Sequence, residues 1–275
     1  MNFKGKTVVI TGGATGIGLA LAKRIGAAGG RIILSEPDSG RLDAAIDQLA
    51  RLRIDAASFA ADVADVDAVE ALADFAWARG GRADVVINNA GIGGGRGAIF
   101  DLDPAEARRV MDVNFWGVWH GAMVFGRRFR ADGRPAAIYA TASENALFNA
   151  LPRGGSAYVA SKHAVLGLMD VLRREVSANI SLGVIIPGWV ATDMAGPQSK
   201  GVAMDPDDFA ARIVPQMEAG AYYLVSHPYN VVRIEERWAE VYDAYARYAP
   251  RTPGDDAQDV QLWAQRARKA KTAKG

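Results

Sequence analysis

Tyr158 and Lys162 stand four residues apart in the stretch "SAYVASKHAV". Four residues is about one helical turn, so the phenol and the ammonium share a face. A free tyrosine titrates near ~10, and an ammonium within about 4–6 Å favours the phenolate and lowers that value. A phenol so tuned can exchange a proton with an alcohol near neutral pH. Ser143 lies 15 residues before Tyr158, and its hydroxyl, as donor or acceptor, can hold a substrate oxygen. These are the parts needed to take a proton from an alcohol while a hydride leaves its carbon.

Such a set works only if regular elements bring it together. Short apolar runs alternate with stretches of helical spacing along the chain. "KTVVITG", "RIILSE", "DAASFAADV", "ADVVINNAG", "PAAIYATAS" and "SLGVIIPG" read as strands, with "GAYYLVS" as a seventh. Helical patterns lie between them, and the helix bearing Tyr158 is predicted over 156–178. Strands joined by helix-length crossovers pair in parallel, and runs such as "VVI" and "GVII" fit strands covered on both faces. The expected fold is α/β: a doubly wound parallel sheet of about seven strands with helices on both faces. No repeat or low-complexity linker divides the chain. It reads as one domain over 1–275, with a core at 5–226 and a helical C-terminal extension at 227–275.

Ligands of such sheets bind beyond the carboxyl ends of the strands. "TGGATGIG" follows the first strand. Gly12, Gly16 and Gly18 permit a tight turn and close approach to a bulky anion, and Thr15 and Ile17 lie in the same turn. The helix starting near Gly16 offers unpaired N–H groups and a positive dipole end, which together make a pyrophosphate site. Glu36 ends the second strand, where a carboxylate accepts both hydroxyls of an adenosine ribose and repels a 2′-phosphate. This favours NAD over NADP. Pro37 stands where a phosphate reader would want arginine, and Arg41 is placed on the exposed face of the next helix. Two roles are open to Asp62: accepting from the adenine amino group, with Val63 behind the ring, or capping the next helix, as Asp65 also could. Asn88 and Asn89 can tie neighbouring loops through backbone hydrogen bonds, while Ala90 and Gly91 leave room for a cofactor. Ser143 follows the fifth strand; Pro187, Gly188 and then Thr192 follow the sixth. A cationic nicotinamide there would draw Tyr158 further towards phenolate.

"TGGATGIG", "NNAG", Asn114 in "VMDVNFWG", Ser143, "YVASK" and "PGWVAT" occur in that order. Over about residues 5–226 the chain therefore resembles the short-chain dehydrogenase/reductase family. The resemblance implies a Rossmann-type fold, a nicotinamide cofactor and a tetrad of Asn114, Ser143, Tyr158 and Lys162. By the resemblance, Tyr158 is the acid/base, Lys162 lowers its pKa and binds the nicotinamide ribose, and Ser143 positions the substrate oxygen. Asn114 holds a water in a proton relay to Lys162. Thr192, with the backbone at Val190, holds the carboxamide. A homodimer or homotetramer is implied as well, through the helices bearing Asn114 and Tyr158. Two features depart from the family pattern. The Ser143–Tyr158 spacing is longer than the commonest one, with "NALPRGG" between, and Thr141 is a weaker candidate for the serine's place. Glu144 directly follows the serine, where it either lines the pocket or points to solvent.

Composition narrows the rest. The absence of cysteine excludes disulfides, thiol nucleophiles and thiolate metal sites. Three histidines without ligand spacing predict no metal. A net charge of +1 gives no strong field for nucleic acid or anionic membrane, and the basic end "RARKAKTAKG" reads as a solvated terminus. No run approaches the roughly 18–20 apolar residues of a membrane span. The first residues enter a strand pattern with neither signal nor transit character, so a cytoplasmic protein is expected. Phe148, Leu151, Trp189, Met194 and Met204, with Glu144 beside them, predict an apolar or aromatic pocket. In the extension, Trp238, Tyr242 and Tyr245 form a stripe for packing, for a subunit contact or for covering substrate. The extension is similar in pattern to the tails of bacterial dehydrogenases that oxidise benzylic alcohols of lignin-derived aryl ethers. The expected activity is NAD(H)-dependent interconversion of a bulky apolar or aromatic secondary alcohol and its ketone. A 3-oxoacyl thioester reductase is the alternative enzyme; Glu36 and the near-neutral charge weigh against it. A non-catalytic nucleotide-binding scaffold is the alternative from another class, and the complete tetrad weighs against that.

Overall fold

The computed structural model describes residues 2–95, 97–151 and 154–272. Pro152 and Arg153 of the loop after Ser143, and the last three residues of the basic end, lie outside the described residues. The chain divides into two compact units, residues 1–230 and 231–275.

The first unit is built on seven parallel strands: β1 (Thr7–Thr11), β2 (Arg31–Glu36), β3 (Ala56–Ala60), β4 (Val85–Asn88), β5 (Ala136–Thr141), β6 (Ile180–Ile186) and β7 (Tyr223–Val225). Their order is β3-β2-β1-β4-β5-β6-β7. The chain winds outward from β1 in one direction and from β4 in the other. The carboxyl ends of β1 and β4 therefore flank the switch point, where a crevice opens.

Alternation along each strand decides which helices cover which face. Val8, Ile10, Ile32, Leu34, Val85 and Ile87 point into one core, with α1 (Gly16–Ala27), α2 (Ser39–Arg51) and α7 (Pro206–Glu218). Val9, Ile33, Val86 and Ile138 point the other way, onto α3 (Val66–Gly80) and α5 (Gly117–Asp132). Further along that face Ala140, Val184 and Ile186 meet Val165 and Met169 of α6 (Ser156–Glu175). Burial on both faces is why these strands read as continuous apolar runs. α4 (Pro104–Met111) passes through a π-helical turn at Asp112–Trp116 into α5.

Two boundaries differ from the sequence reading. The helix bearing Tyr158 ends at Glu175, because Val176 turns extended (ψ 147°). Asn179 then ties the chain to the end of α5 and the turn before β5, through Phe129 O and Arg134 O. The third strand is shorter than its apolar pattern, since Asp62 and Asp65 close turns on Ala64 N and Asp67 N.

The second unit carries most of α8 (Asn230–Tyr248) and α9 (Val260–Thr272). Trp238 and Tyr242 pack together with ring centroids 6.2 Å apart, yet they and Tyr245 remain at least half exposed. Among the described residues, no helix is long and apolar enough to cross a membrane.

Candidate active site

The glycine-rich turn after β1 is shaped by two positive φ angles, 59° at Gly12 and 51° at Gly16, which favour glycine. Gly18 allows the turn to close: a Cβ there would sit 2.2 Å from Gly12 O. Thr15 is the N-cap of α1 but makes no side-chain cap bond, so the first N–H groups of α1 are left for an anion. Asn89 locks the turn across the switch point. Its Nδ2 donates to Thr11 O and Gly12 O at 3.1 Å each, while Thr141 Oγ1 donates to its Oδ1 at 3.1 Å. Ala90 packs under Gly12, and Asn88 is buried with its Nδ2 facing Tyr139 O at 3.4 Å. Asn89 thus makes the predicted tie to a neighbouring loop, while Asn88 reaches into β5 instead.

Glu36 ends β2 half-buried, and burial pushes its carboxyl above the usual range against the opposing pull of Arg41. Arg41 lies on the exposed side of α2, with its Nε 3.6 Å from Asp38. Asp65, not Asp62, caps α3. Asp62 spends one oxygen on Ala64 N and is exposed beside buried Val63. His120 Nδ1 donates to Val63 O at 2.9 Å and fixes that strand end from α5.

Tyr158 and Lys162 lie on the first turns of α6. Lys162 is buried and donates from Nζ to Thr141 O at 2.8 Å. Burial holds its pKa down at about 8. Its Nζ is 5.7 Å from the Tyr158 ring centroid. Asn114 sits in the π-helical turn, fully buried. Its Oδ1 accepts from Ile92 N at 2.8 Å, and its Nδ2 donates to Ile92 O and Ser161 Oγ at 3.0 and 3.1 Å. Both amide hydrogens are therefore committed, and a lone pair of Oδ1 is its remaining capacity. A Cβ on Gly91 would lie 3.3 Å from that oxygen and 3.5 Å from Lys162 Nζ. The two groups thus border one gap, on the path where the family resemblance puts a water.

Ser143 and Thr141, the two hydroxyls considered for the serine's place, have different partners. The Thr141 hydroxyl is spent on Asn89, whereas the Ser143 hydroxyl acts on Tyr158, favouring its phenolate. Asn145 decides the direction of that interaction. Its N and Nδ2 donate to Ser143 Oγ at 3.2 and 3.3 Å. A hydroxyl has two acceptor lone pairs and one proton, so with both lone pairs filled Ser143 is left as a donor towards the phenol oxygen.

The phenol's own titration corrects the sequence reading. Burial pushes the Tyr158 pKa up, and the Glu144 carboxylate adds to the rise. The Ser143 hydrogen bond opposes them without prevailing. Protein groups alone do not lower this phenol, because the cost of desolvating the anion dominates.

Glu144 points inward. Its N donates to Pro187 O at 2.8 Å, and its Oε2 would lie 2.9 Å from a Cβ on Gly188. Burial raises its pKa, partly countered by a hydrogen bond from the Asn230 side chain. His227, given no role by its spacing, grips the same turn. Its Nε2 faces Trp189 O at 3.2 Å and must donate. Nδ1 is therefore the acceptor, from Gly188 N at 3.2 Å and Ser226 Oγ at 2.8 Å. Burial lowers its pKa, which favours this neutral form.

Asn145, Ser161, His227 and Asn230 had no signal in the sequence: no spacing rule links them to the residues they hold. Of the expected pocket residues, Trp189 and Met194 are about half exposed, Met194 lies against Gly93, and Leu151 packs on Gly155. Phe148 is buried. Met204 packs on the main core, its backbone bridging to Val190, and also lines a cavity with Ala191, Lys200 and Asp208. Thr192 lies beside Gly16, and its N donates to Val190 O at 2.9 Å. Among the described residues, no three histidine, aspartate or glutamate side chains cluster to hold a metal.

Known proteins share this framework. The family model described as short chain dehydrogenase matches residues 6–203, from β1 through β6 and the loop bearing Thr192. A 1-deoxy-11-beta-hydroxypentalenate dehydrogenase of Streptomyces avermitilis is 32% identical over 255 residues, 90% of this chain and 94% of that protein. A short chain dehydrogenase/reductase from Burkholderia phymatum, solved in complex with NAD, superposes with a TM-score of 0.81. It is 25% identical and covers 92% of this chain and 99% of its own. The apo form of LigO from Sphingobium sp. strain SYK-6 gives 0.82 at 27% identity, covering 98% of each chain. A sheet wound from this switch point and a matching sequence across it lead to one conclusion: the chain belongs to the short-chain dehydrogenase/reductase family of oxidoreductases.

Proposed function

We propose that the protein is an NAD(H)-linked oxidoreductase that interconverts a bulky apolar or aromatic secondary alcohol and its ketone, with Tyr158 as the acid/base. The observation that carries this reading is the arrangement at Tyr158: Ser143 aimed as a donor by Asn145, and buried Lys162 one helical turn away. Ser143 and Tyr158 hold the alcohol oxygen, and Tyr158 accepts the proton as the carbonyl forms. Lys162, with Asn114 behind it, carries that proton away from the phenol.

The turn at Gly12–Gly18 and the free start of α1 fit a pyrophosphate, and Glu36 fits an adenosine ribose better than a 2′-phosphate. Asp62, Val63, Ala90 and Gly91 would line the adenine and nicotinamide side, with Pro187, Gly188, Val190 and Thr192 opposite. A bound nicotinamide supplies the hydride acceptor, and its positive charge supplies the pull on Tyr158 that the protein lacks. NAD in the Burkholderia phymatum relative supports the cofactor, and half-exposed Trp189 and Met194 support the substrate class. Trp116 and Trp119, each about two-fifths exposed beside Asn114, support assembly into dimers or tetramers through that face.

The test is a panel of secondary alcohols, aromatic and aliphatic, each with NAD+ and NADP+, read as reduced nicotinamide. Faster NAD+ reduction with aromatic members is expected. Preference for NADP+, or for small aliphatic alcohols, overturns the corresponding part of the reading.

A further inference from the structure

The proton chemistry leaves one charged side chain unused. Glu144 is next to Ser143, is felt electrostatically by Tyr158 and has its Oε2 against Gly188. Its charge disfavours the phenolate that the reaction needs. Its own burial is unfavourable without donors to replace lost water. The donor identified for it is one neutral amide, from Asn230. A carboxylate offers about four acceptor positions, so capacity remains beside Gly188 beyond that one donor. Asn230 in turn is anchored: its N donates to His227 O at 3.2 Å, and His227 grips Gly188 and Trp189. The carboxylate thus lies on the turn that His227 holds, directly after Ser143 in the chain.

We propose that Glu144, positioned by Asn230, is a specificity-determining residue that selects secondary alcohols bearing a second hydroxyl on the carbon next to the carbinol. This rests on the alcohol-oxidising reading above. The second hydroxyl donates to Glu144 while the first is held by Ser143 and Tyr158. In the reaction the carbinol C–H hydride passes to NAD+ and the carbinol O–H proton to Tyr158, giving an α-hydroxyketone and NADH. The second hydroxyl is unchanged.

The experiment compares 1-phenylethane-1,2-diol with 1-phenylethanol, which differ by that hydroxyl alone. A hydroxyl bonded to a buried charge predicts a preference in kcat/KM of about ten- to a hundredfold for the diol. In Glu144→Leu the ratio should collapse towards one. In Asn230→Ala it should fall part of the way, chiefly through the KM of the diol. Glu144→Gln keeps the shape, and NADH binding by fluorescence reports that each variant is folded. Equal turnover of both probes by the wild type, or an equal loss on both in Glu144→Leu, overturns the role of Glu144. Failure of the wild type to turn over either probe with either nucleotide is a different result: it sinks the aromatic-alcohol reading beneath the proposal.

Discussion

Two halves of the crevice are built in opposite ways. The half at the ends of β1 to β4 and on α6 consists of side chains locked into backbone. Asn89 bridges three loops, Asn114 has both amide hydrogens spent, and Lys162 is fixed on Thr141 O. The half formed after β5, β6 and β7 consists of side chains outside the sheet that hold one another: Asn145 on Ser143, Asn230 on Glu144, His227 on Gly188. A fully bonded buried network fixes one geometry, which suits a cofactor and a proton path that do not vary. Side chains held on loops can differ without disturbing the sheet, which suits a substrate. Changes in the first half should therefore affect every alcohol alike, and changes in the second should depend on the alcohol.

Apart from Tyr158 itself, the largest effect is expected at Lys162. Lys162→Met should lower kcat by roughly 10²–10⁴ for every substrate tested; a loss confined to some alcohols would blur the division. The same variant has a signature free of catalysis. Burial holds Lys162 at about 8 in the folded protein against 10.5 for a solvated lysine, so the unfolded chain binds more protons in between. Stability should therefore rise from pH 8 towards 10, by an amount on the order of 3 kcal/mol at most. Urea unfolding across that range should show the slope in the wild type and not in Lys162→Met.

Glu36→Ala comes next. It should reduce the preference for NAD+ over NADP+ by about tenfold or more, equally for all alcohols, as read from kcat/KM with each nucleotide. Asn145→Ala removes the Nδ2 donor but keeps the backbone one, so it frees one lone pair of Ser143 and aims its hydroxyl less firmly. A loss of about tenfold in kcat is expected, varying between alcohols, with nucleotide affinity kept. The smallest effect is expected at His227. His227→Asn should raise the KM for alcohol a few-fold, to an extent that differs between alcohols, on the order of one lost hydrogen bond. Burial lowers the His227 pKa from 6.5, so the folded form resists protonation. Its contribution to stability should fade as pH drops below about 6.5, and that dependence should be missing from the variant.

The first half was legible because its devices have sequence rules. A glycine turn must follow a strand and open a helix, a ribose carboxylate must end the second strand, and a tyrosine and lysine must stand one turn apart. Strand alternation gave the sheet by the same logic. The second half has no such rule. Asn230 reaches Glu144 across 86 positions and His227 reaches Gly188 across 39, and contacts at such separations are set by the whole fold. The Tyr158 titration escaped for a related reason. Spacing reports the nearby ammonium, whereas burial depends on everything packed around the phenol.

The proton role of Tyr158 is tested most directly by single-turnover nicotinamide reduction in the wild type and Tyr158→Phe, with NAD+ affinity measured on the same samples. Equal affinity with reduction slowed by about 10²–10⁴ is expected. Equal affinity with near-normal reduction would show that the alcohol's proton leaves by another group.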